Sequence, residues 1–290
     1  MRNFEYFRPD TIEEACFLLS KYKEKAKVIA GGQSLLILMK ERLVNPSYLI
    51  DIKEIPDLDY ISYDPEEGLR IGVLATHRQI ETSNLIQERF NFLSEMEKKV
   101  ASVQIRNMGT LGGNLCHADP CGDLAPPLIG MGARVKIVSS RGERSVLLEG
   151  FFTDYFETVL EADEILAKIQ IPDLPPHTGG IYLKHNLREA DPAVVGVAAV
   201  ITADPLRGIC QDLKIVLSAC ASTPMRAKRA EGALKEKQVE ENRIKEVSQI
   251  ASEEANPISD LGGSEGYKRE MVKILTEEAI KQAWDRARSI

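Results

Sequence analysis

The stretch KVIAGGQSLLILMK at 27–40 decides how the rest of the chain is read. Lys27 to Ala30 is a short run containing β-branched residues that stops at Gly31-Gly32, after which Ser34 is placed to cap a helix through Leu35, Leu36, Leu38 and Met39. Two adjacent glycines let the backbone approach an anion with no Cβ in the way, and a helix N-terminus points free amides outward. The order strand, glycine turn, helix therefore suits a phosphate, although a plain strand-to-helix turn reads the same way. A second doubled glycine, in QIRNMGTLGGN at 104–114, repeats the pattern, so two phosphates could be shared between two loops. Neither stretch has the lysine of a Walker motif or the glycine spacing of a Rossmann fingerprint, which sets both common nucleotide folds aside.

Around these stretches the chain reads as mixed helix and strand. Pro9-Asp10-Thr11 starts a helix with Ile12, Ala15, Cys16, Leu18, Leu19 and Tyr22 at helical spacing. Strands are expected at 48–52, 69–74, 134–138 and 165–171, with one helix over 83–103. Pro172, Pro175, Pro176 and the pair Gly179-Gly180 then break all periodicity, which places a domain boundary between 1–176 and 177–290. Strands follow at 181–184, 194–203 and 213–220, and the remainder from Met225 reads as helical, broken near Asn256-Pro257 and Gly262-Gly263.

The 290 residues are 43% hydrophobic and 28% charged, enough to bury a substantial core. A formal net charge of -7 argues against a nucleic-acid binder, which would need clustered Lys and Arg. The most apolar run, 193–203, is too short to span a membrane, and the N-terminal residues lack the apolar stretch of a secretory signal, so a cytoplasmic location is expected. Five scattered cysteines do not form a disulfide framework. Cys116, His117, Asp119 and Cys121 lie close in sequence, but their spacing is not that of a zinc site, and packing around the second glycine stretch is the better account; no metal is expected there.

With these stretches in hand, the chain resembles the FAD-binding medium subunits of the molybdenum hydroxylases, the group of xanthine dehydrogenase, carbon monoxide dehydrogenase and aromatic hydroxylases. AGGQSLLILMK at 30–40, LATH at 74–77, QIRNMGTLGGN at 104–114 and DPCGDLAPPL at 119–128 carry the resemblance, with EIL at 164–166 and YLKHNLREADPA at 182–193. TPMRAKRAEGAL at 223–234 and SDLGGSEGYKREMV at 259–272 extend it to the C-terminal domain.

The resemblance implies an α+β fold. An FAD-binding domain of the vanillyl-alcohol-oxidase (PCMH) type in two lobes would be followed by a small domain of three-stranded sheet plus helices. It implies that Val28, Ile29, Ala30, Gly31, Gly32, Gln33, Ser34 and Leu35 form one FAD diphosphate loop and Thr110, Leu111, Gly112, Gly113 and Asn114 the other. Asp123 would accept a hydrogen bond from the sugar or phosphate region, Leu166 would make an apolar contact, and Lys184 would bring a positive charge near the flavin ring. For Lys184 a solvent-facing lysine on a strand edge is the bland alternative. His77 would be a cap, a core residue or a support of the flavin side. No side chain of this chain is expected to act as a catalytic acid or base.

The implied function is an electron relay, from iron-sulfur clusters of a small partner subunit, through FAD, to an acceptor such as NAD. A large molybdopterin-binding partner would oxidise the organic substrate. Two other readings are a stand-alone FAD-dependent oxidoreductase of the same fold, and a scaffold that has lost FAD, which the intact glycines disfavour.

Overall fold

The computed structural model describes residues 2–289, which open with β1 (Glu5–Phe7) and α1 (Ile12–Tyr22). Thr11 starts the helix as its sequence indicates. Its hydroxyl accepts from the Glu14 N–H, and Ala15, Cys16 and Leu19 turn inward. β2 (Ala26–Ile29), α2 (Leu35–Lys40) and β3 (Tyr48–Asp51) complete a parallel sheet in the order β1-β3-β2. The first glycine turn therefore leaves the C-terminal end of an edge strand.

The second lobe is built on an antiparallel sheet. β4 (Ile61–Asp64) and β5 (Gly68–Gly72) lead into short helices: α3 (His77–Thr82), α4 (Asn84–Arg89), α5 (Asn91–Glu97), α6 (Val103–Met108), α7 (Leu111–His117) and α8 (Ala125–Gly130). β6 (Arg134–Ser139), β7 (Gly142–Leu147), the small hairpin of β8 (Phe152–Asp154) and β9 (Glu157–Thr158), and β10 (Ile165–Ile171) follow, and the sheet runs β4-β5-β10-β6-β7.

The single helix expected over 83–103 is a series of short ones. The backbone turns at Phe90 (φ -133, ψ 45), which lets both Phe90 and Phe92 enter the core. β7 carries no apolar alternation because it is a mostly exposed sheet edge.

The C-terminal part is a sheet of three long strands, β11 (Thr178–His185), β12 (Val195–Asp204) and β13 (Ile209–Ser218). Two very short strands, β14 (Met225–Arg226) and β15 (Lys237–Gln238), pair with β13 where the sequence reads as helical. α9 (Lys228–Leu234), α10 (Glu241–Glu254) and α11 (Glu265–Ser289) supply the helices. The pair Gly179-Gly180, expected to interrupt structure, lies inside β11.

β12 is buried on both faces, which explains its nearly continuous apolar sequence. Val197, Ala199 and Ile201 join a core with the helices α9 to α11, whereas Ala198 and Val200, with Tyr182 and Val216, join the core of the first 171 residues. Among the described residues no helix is long and apolar enough to cross a membrane.

Candidate functional site

The two glycine stretches meet. A Cβ built on Gly31 would overlap the Met108 carbonyl oxygen, and would lie 2.9 Å from the carbonyl carbon and 3.0 Å from the Gly109 Cα. Only glycine permits this approach of one backbone to the other. An isolated bridge between Thr76 and Thr110 ties the second stretch to the start of α3.

Although the sequence presents the two stretches as alike, they are built differently. The backbone N–H groups of Gly31, Gly32, Gln33 and Ser34 donate to no acceptor among the described residues. The Gln33 side-chain amide donates to the Gly31 carbonyl at 3.0 Å, which holds the turn in shape. Ser34 precedes α2 but makes no side-chain cap bond, so the expected cap does not form. Four consecutive free donors at half-buried positions are an anion-binding surface.

In the second stretch the amides are already used. Leu111 N–H donates to Ala75 O and Gly112 N–H to Val73 O, each at 2.9 Å; Gly113 N–H donates to Thr110 Oγ1 at 3.1 Å and Asn114 N–H to Thr110 O at 3.0 Å. Gly112 is pressed on Val73, whose Cβ would be 2.5 Å from an added Cβ, while Gly113 is exposed. This stretch is a rigid wall rather than a second set of donors. Thr110 is the N-cap of α7, so Thr110→Val should lower stability by about 1 kcal/mol, read as a fall of a few degrees in Tm.

Of the other expected site residues, Asp123 and Lys184 come together. Lys184 Nζ donates to Asp123 Oδ2 at 2.7 Å, to Lys99 O at 2.9 Å and to Asp191 O at 3.1 Å. Tyr182, two residues earlier on the same face of β11, donates its hydroxyl to Asp123 Oδ1 at 2.8 Å. Burial pushes the Asp123 carboxyl up from its ordinary range, and Lys184 and Tyr182 pull it back. Burial, reinforced by Asp123, pushes the Tyr182 phenol well up, so it remains a donor.

The ammonium of Lys184 is thus fully engaged and only 5% exposed, unlike a solvent-facing edge lysine. Gly122, just before Asp123, sits near the Asn114 amide: an added Cβ would lie 3.9 Å from Asn114 Oδ1. This places the pair beside the second stretch. Leu166 lies on β10 within the core and is covered by the protein's own residues.

Several residues of the site carry no signal in sequence. Tyr182 could have been found from its period-2 relation to Lys184, but nothing marks Met108 and Gly109 as the seat for Gly31. Arg106 of the QIRN motif is engaged within the protein: it donates to Glu81 Oε2 at 3.0 Å and to the carbonyls of Val100 and Ala101. His77 is buried, with Nδ1 2.9 Å from Glu97 Oε2. Cys116 is exposed and Cys121 half-buried, and His117 packs on the Phe156 ring at 5.2 Å. No three His, Cys, Asp or Glu side chains converge among the described residues.

Residues 2–174 match the model of the FAD binding domain in molybdopterin dehydrogenase, and residues 181–283 that of the CO dehydrogenase flavoprotein C-terminal domain. The chain is 32% identical over 286 residues to the 6-hydroxypseudooxynicotine dehydrogenase complex subunit alpha of Paenarthrobacter nicotinovorans, covering 99% of this chain and 96% of the relative. It is 32% identical over 285 residues to the carbon monoxide dehydrogenase medium chain of Hydrogenophaga pseudoflava, covering 98% of each. A solved structure of carbon monoxide dehydrogenase from Hydrogenophaga pseudoflava superposes with a TM-score of 0.95 at 33% identity, again covering 98% of each chain.

Proposed function

Because this chain belongs to the FAD-binding medium subunits of the molybdenum hydroxylases, we propose that it relays electrons from iron-sulfur clusters of a small partner subunit to an external acceptor such as NAD. In this reading a large molybdopterin-binding partner oxidises the organic substrate, and the assembly is cytoplasmic, where the free thiols stay reduced. The carrying observation is the row of free amides at Gly31–Ser34, braced by the backbone of Met108 and Gly109, which fits a dinucleotide diphosphate. Bound FAD supplies the exchange between one-electron and two-electron transfer.

The chain's own residues hold and orient it. The amides of Gly31 to Ser34 bind the diphosphate, with Val28, Ile29, Ala30 and Leu35 shaping the approach. Thr110 to Asn114 form the facing wall, with Leu166 behind it in the core. Asp123 and Lys184 close the floor as a neutral, hydrogen-bonded pair. The need for partners rests on cysteine placement. Cys16, Cys210 and Cys220 are buried, and a four-thiolate cluster pattern is missing from the sequence.

The test uses the complex isolated with its partner chains. Anaerobic NADH should bleach the flavin band, and added NAD should restore it after reduction by the organic substrate. A flavin reduced by substrate but untouched by NADH and NAD would overturn NAD as acceptor. An isolated, FAD-loaded chain that turned over a small substrate unaided would overturn the relay in favour of a stand-alone oxidoreductase.

A further inference from the structure

We propose that His77 and Glu97 form a proton-dependent prop behind the second glycine stretch, and that this prop sets how tightly the chain holds the FAD diphosphate. The inference rests on the reading that the free amides of Gly31–Ser34 bind that diphosphate, with Thr110–Asn114 as the facing wall. A continuous line of contact runs from Glu97 to the loops. Glu97 is fully buried on α5, and its Oε2 meets His77 Nδ1 at 2.9 Å. The His77 backbone N–H donates to Gly109 O at 3.0 Å, and the imidazole itself packs against Gly109, its Cδ2 3.1 Å and its Nε2 3.5 Å from where a Cβ on that glycine would lie. Gly109 and Met108 are the backbone on which Gly31 is seated. His77 thus holds the contact between the two stretches from behind. It is a positioning residue.

The second oxygen of Glu97 has no hydrogen-bond partner among the described residues. A buried carboxylate so poorly satisfied is costly unless its one neighbour is charged. Burial alone would lower the pKa of His77, but the charge and hydrogen bond of Glu97 outweigh it and raise the imidazole above its ordinary 6.5. Arg106 from α6, itself tied to Glu81 of α3, opposes this, and Asp123 adds to it. On α4, Glu88 and Arg89 are exposed, Arg89 lying over the Tyr63 ring.

Stabilisation from His77 is complete below 6.5 and is lost as pH rises through the folded-state pKa. An anionic diphosphate nearby favours the protonated ring, so FAD binding weakens over the same window.

The experiment titrates FAD into the flavin-free full chain at several pH values, following flavin fluorescence. Binding should be about tenfold weaker near pH 9 than near pH 6, the size expected when ligand binding shifts one pKa by about one unit. Glu97→Gln keeps a hydrogen bond to Nδ1 without the charge, and should flatten the dependence. A flat wild-type profile, or an unchanged slope in Glu97→Gln, overturns the prop. If that variant does not fold, the His77 ring signal in NMR decides. Its midpoint should lie above 6.5 and rise further with FAD, and a midpoint at or below 6.5 that ignores FAD overturns the proposal. No FAD binding at any pH would instead remove the underlying reading, and the prop with it.

Discussion

Gly31→Ala gives a folded chain that has lost its flavin. The added methyl would overlap the Met108 carbonyl and crowd Gly109 Cα. Both obstacles are backbone, which cannot rotate aside as a side chain would. The two stretches must separate, and the free amides of Gly31 to Ser34 then lose their common aim. A hydrogen bond to a charged acceptor contributes roughly 1.5–3 kcal/mol. Loss of two such bonds should weaken FAD binding at least about hundredfold.

Gly32→Ala is the contrast. Gly32 has φ +72, but an added Cβ would meet side-chain ends rather than backbone, Leu36 Cδ1 at 3.1 Å and Ile29 Cδ1 at 3.4 Å. Its cost is backbone strain of about 1–2 kcal/mol, spread over fold and binding alike. The flavin-to-protein ratio after purification, together with Tm, separates the two. Full flavin content in Gly31→Ala would show that the contact with Met108 is not what shapes the site.

Lys184→Met should be the most destabilising single change in the C-terminal sheet. It strips Asp123 of its cation and leaves a buried carboxylate with Tyr182 as its only side-chain donor among the described residues. Breaking one side of a buried pair costs roughly 3–5 kcal/mol, or on the order of 10 °C in Tm for a protein of this size. Adding Asp123→Leu should recover much of the loss, because no unpaired charge is then left buried at this position. Urea denaturation of both variants gives the comparison. Should Lys184→Met keep its stability but shift the flavin potential, the lysine acts as a free charge beside the ring, and the neutral floor is the wrong account.

Much of this fold is legible where local chemistry and tertiary demand agree. Thr11, the glycine turn after β2 and the apolar strands 48–51, 134–139 and 195–204 form as their residues suggest. Legibility fails where long-range contacts decide. Nothing near Phe90 announces a break in the helix; it lets two phenylalanines reach one core. Nothing in QIRN shows that Glu81 and two carbonyls claim the donors of its arginine.

The site shows the same limit. Glycine pairs are visible, but their unequal roles depend on Val73, Ala75 and Thr110 taking up the amides of one stretch and leaving the other free. Asp123 and Lys184 are 61 positions apart, so their pairing exists only in three dimensions.

The double burial of β12 bears on how such a chain can be divided. Its two family segments are separated only by the stretch between residues 174 and 181, and a protein engineer would cut there. The inner face of the second segment is nevertheless part of the first segment's core through Tyr182, Ala198, Val200 and Val216. Severed at that seam, each half would present an oily surface with nothing to cover it. The unit of inheritance written in the sequence is smaller than the unit that can stand alone in water, so modules of this subunit can be exchanged between relatives only with a matched pair of facing surfaces.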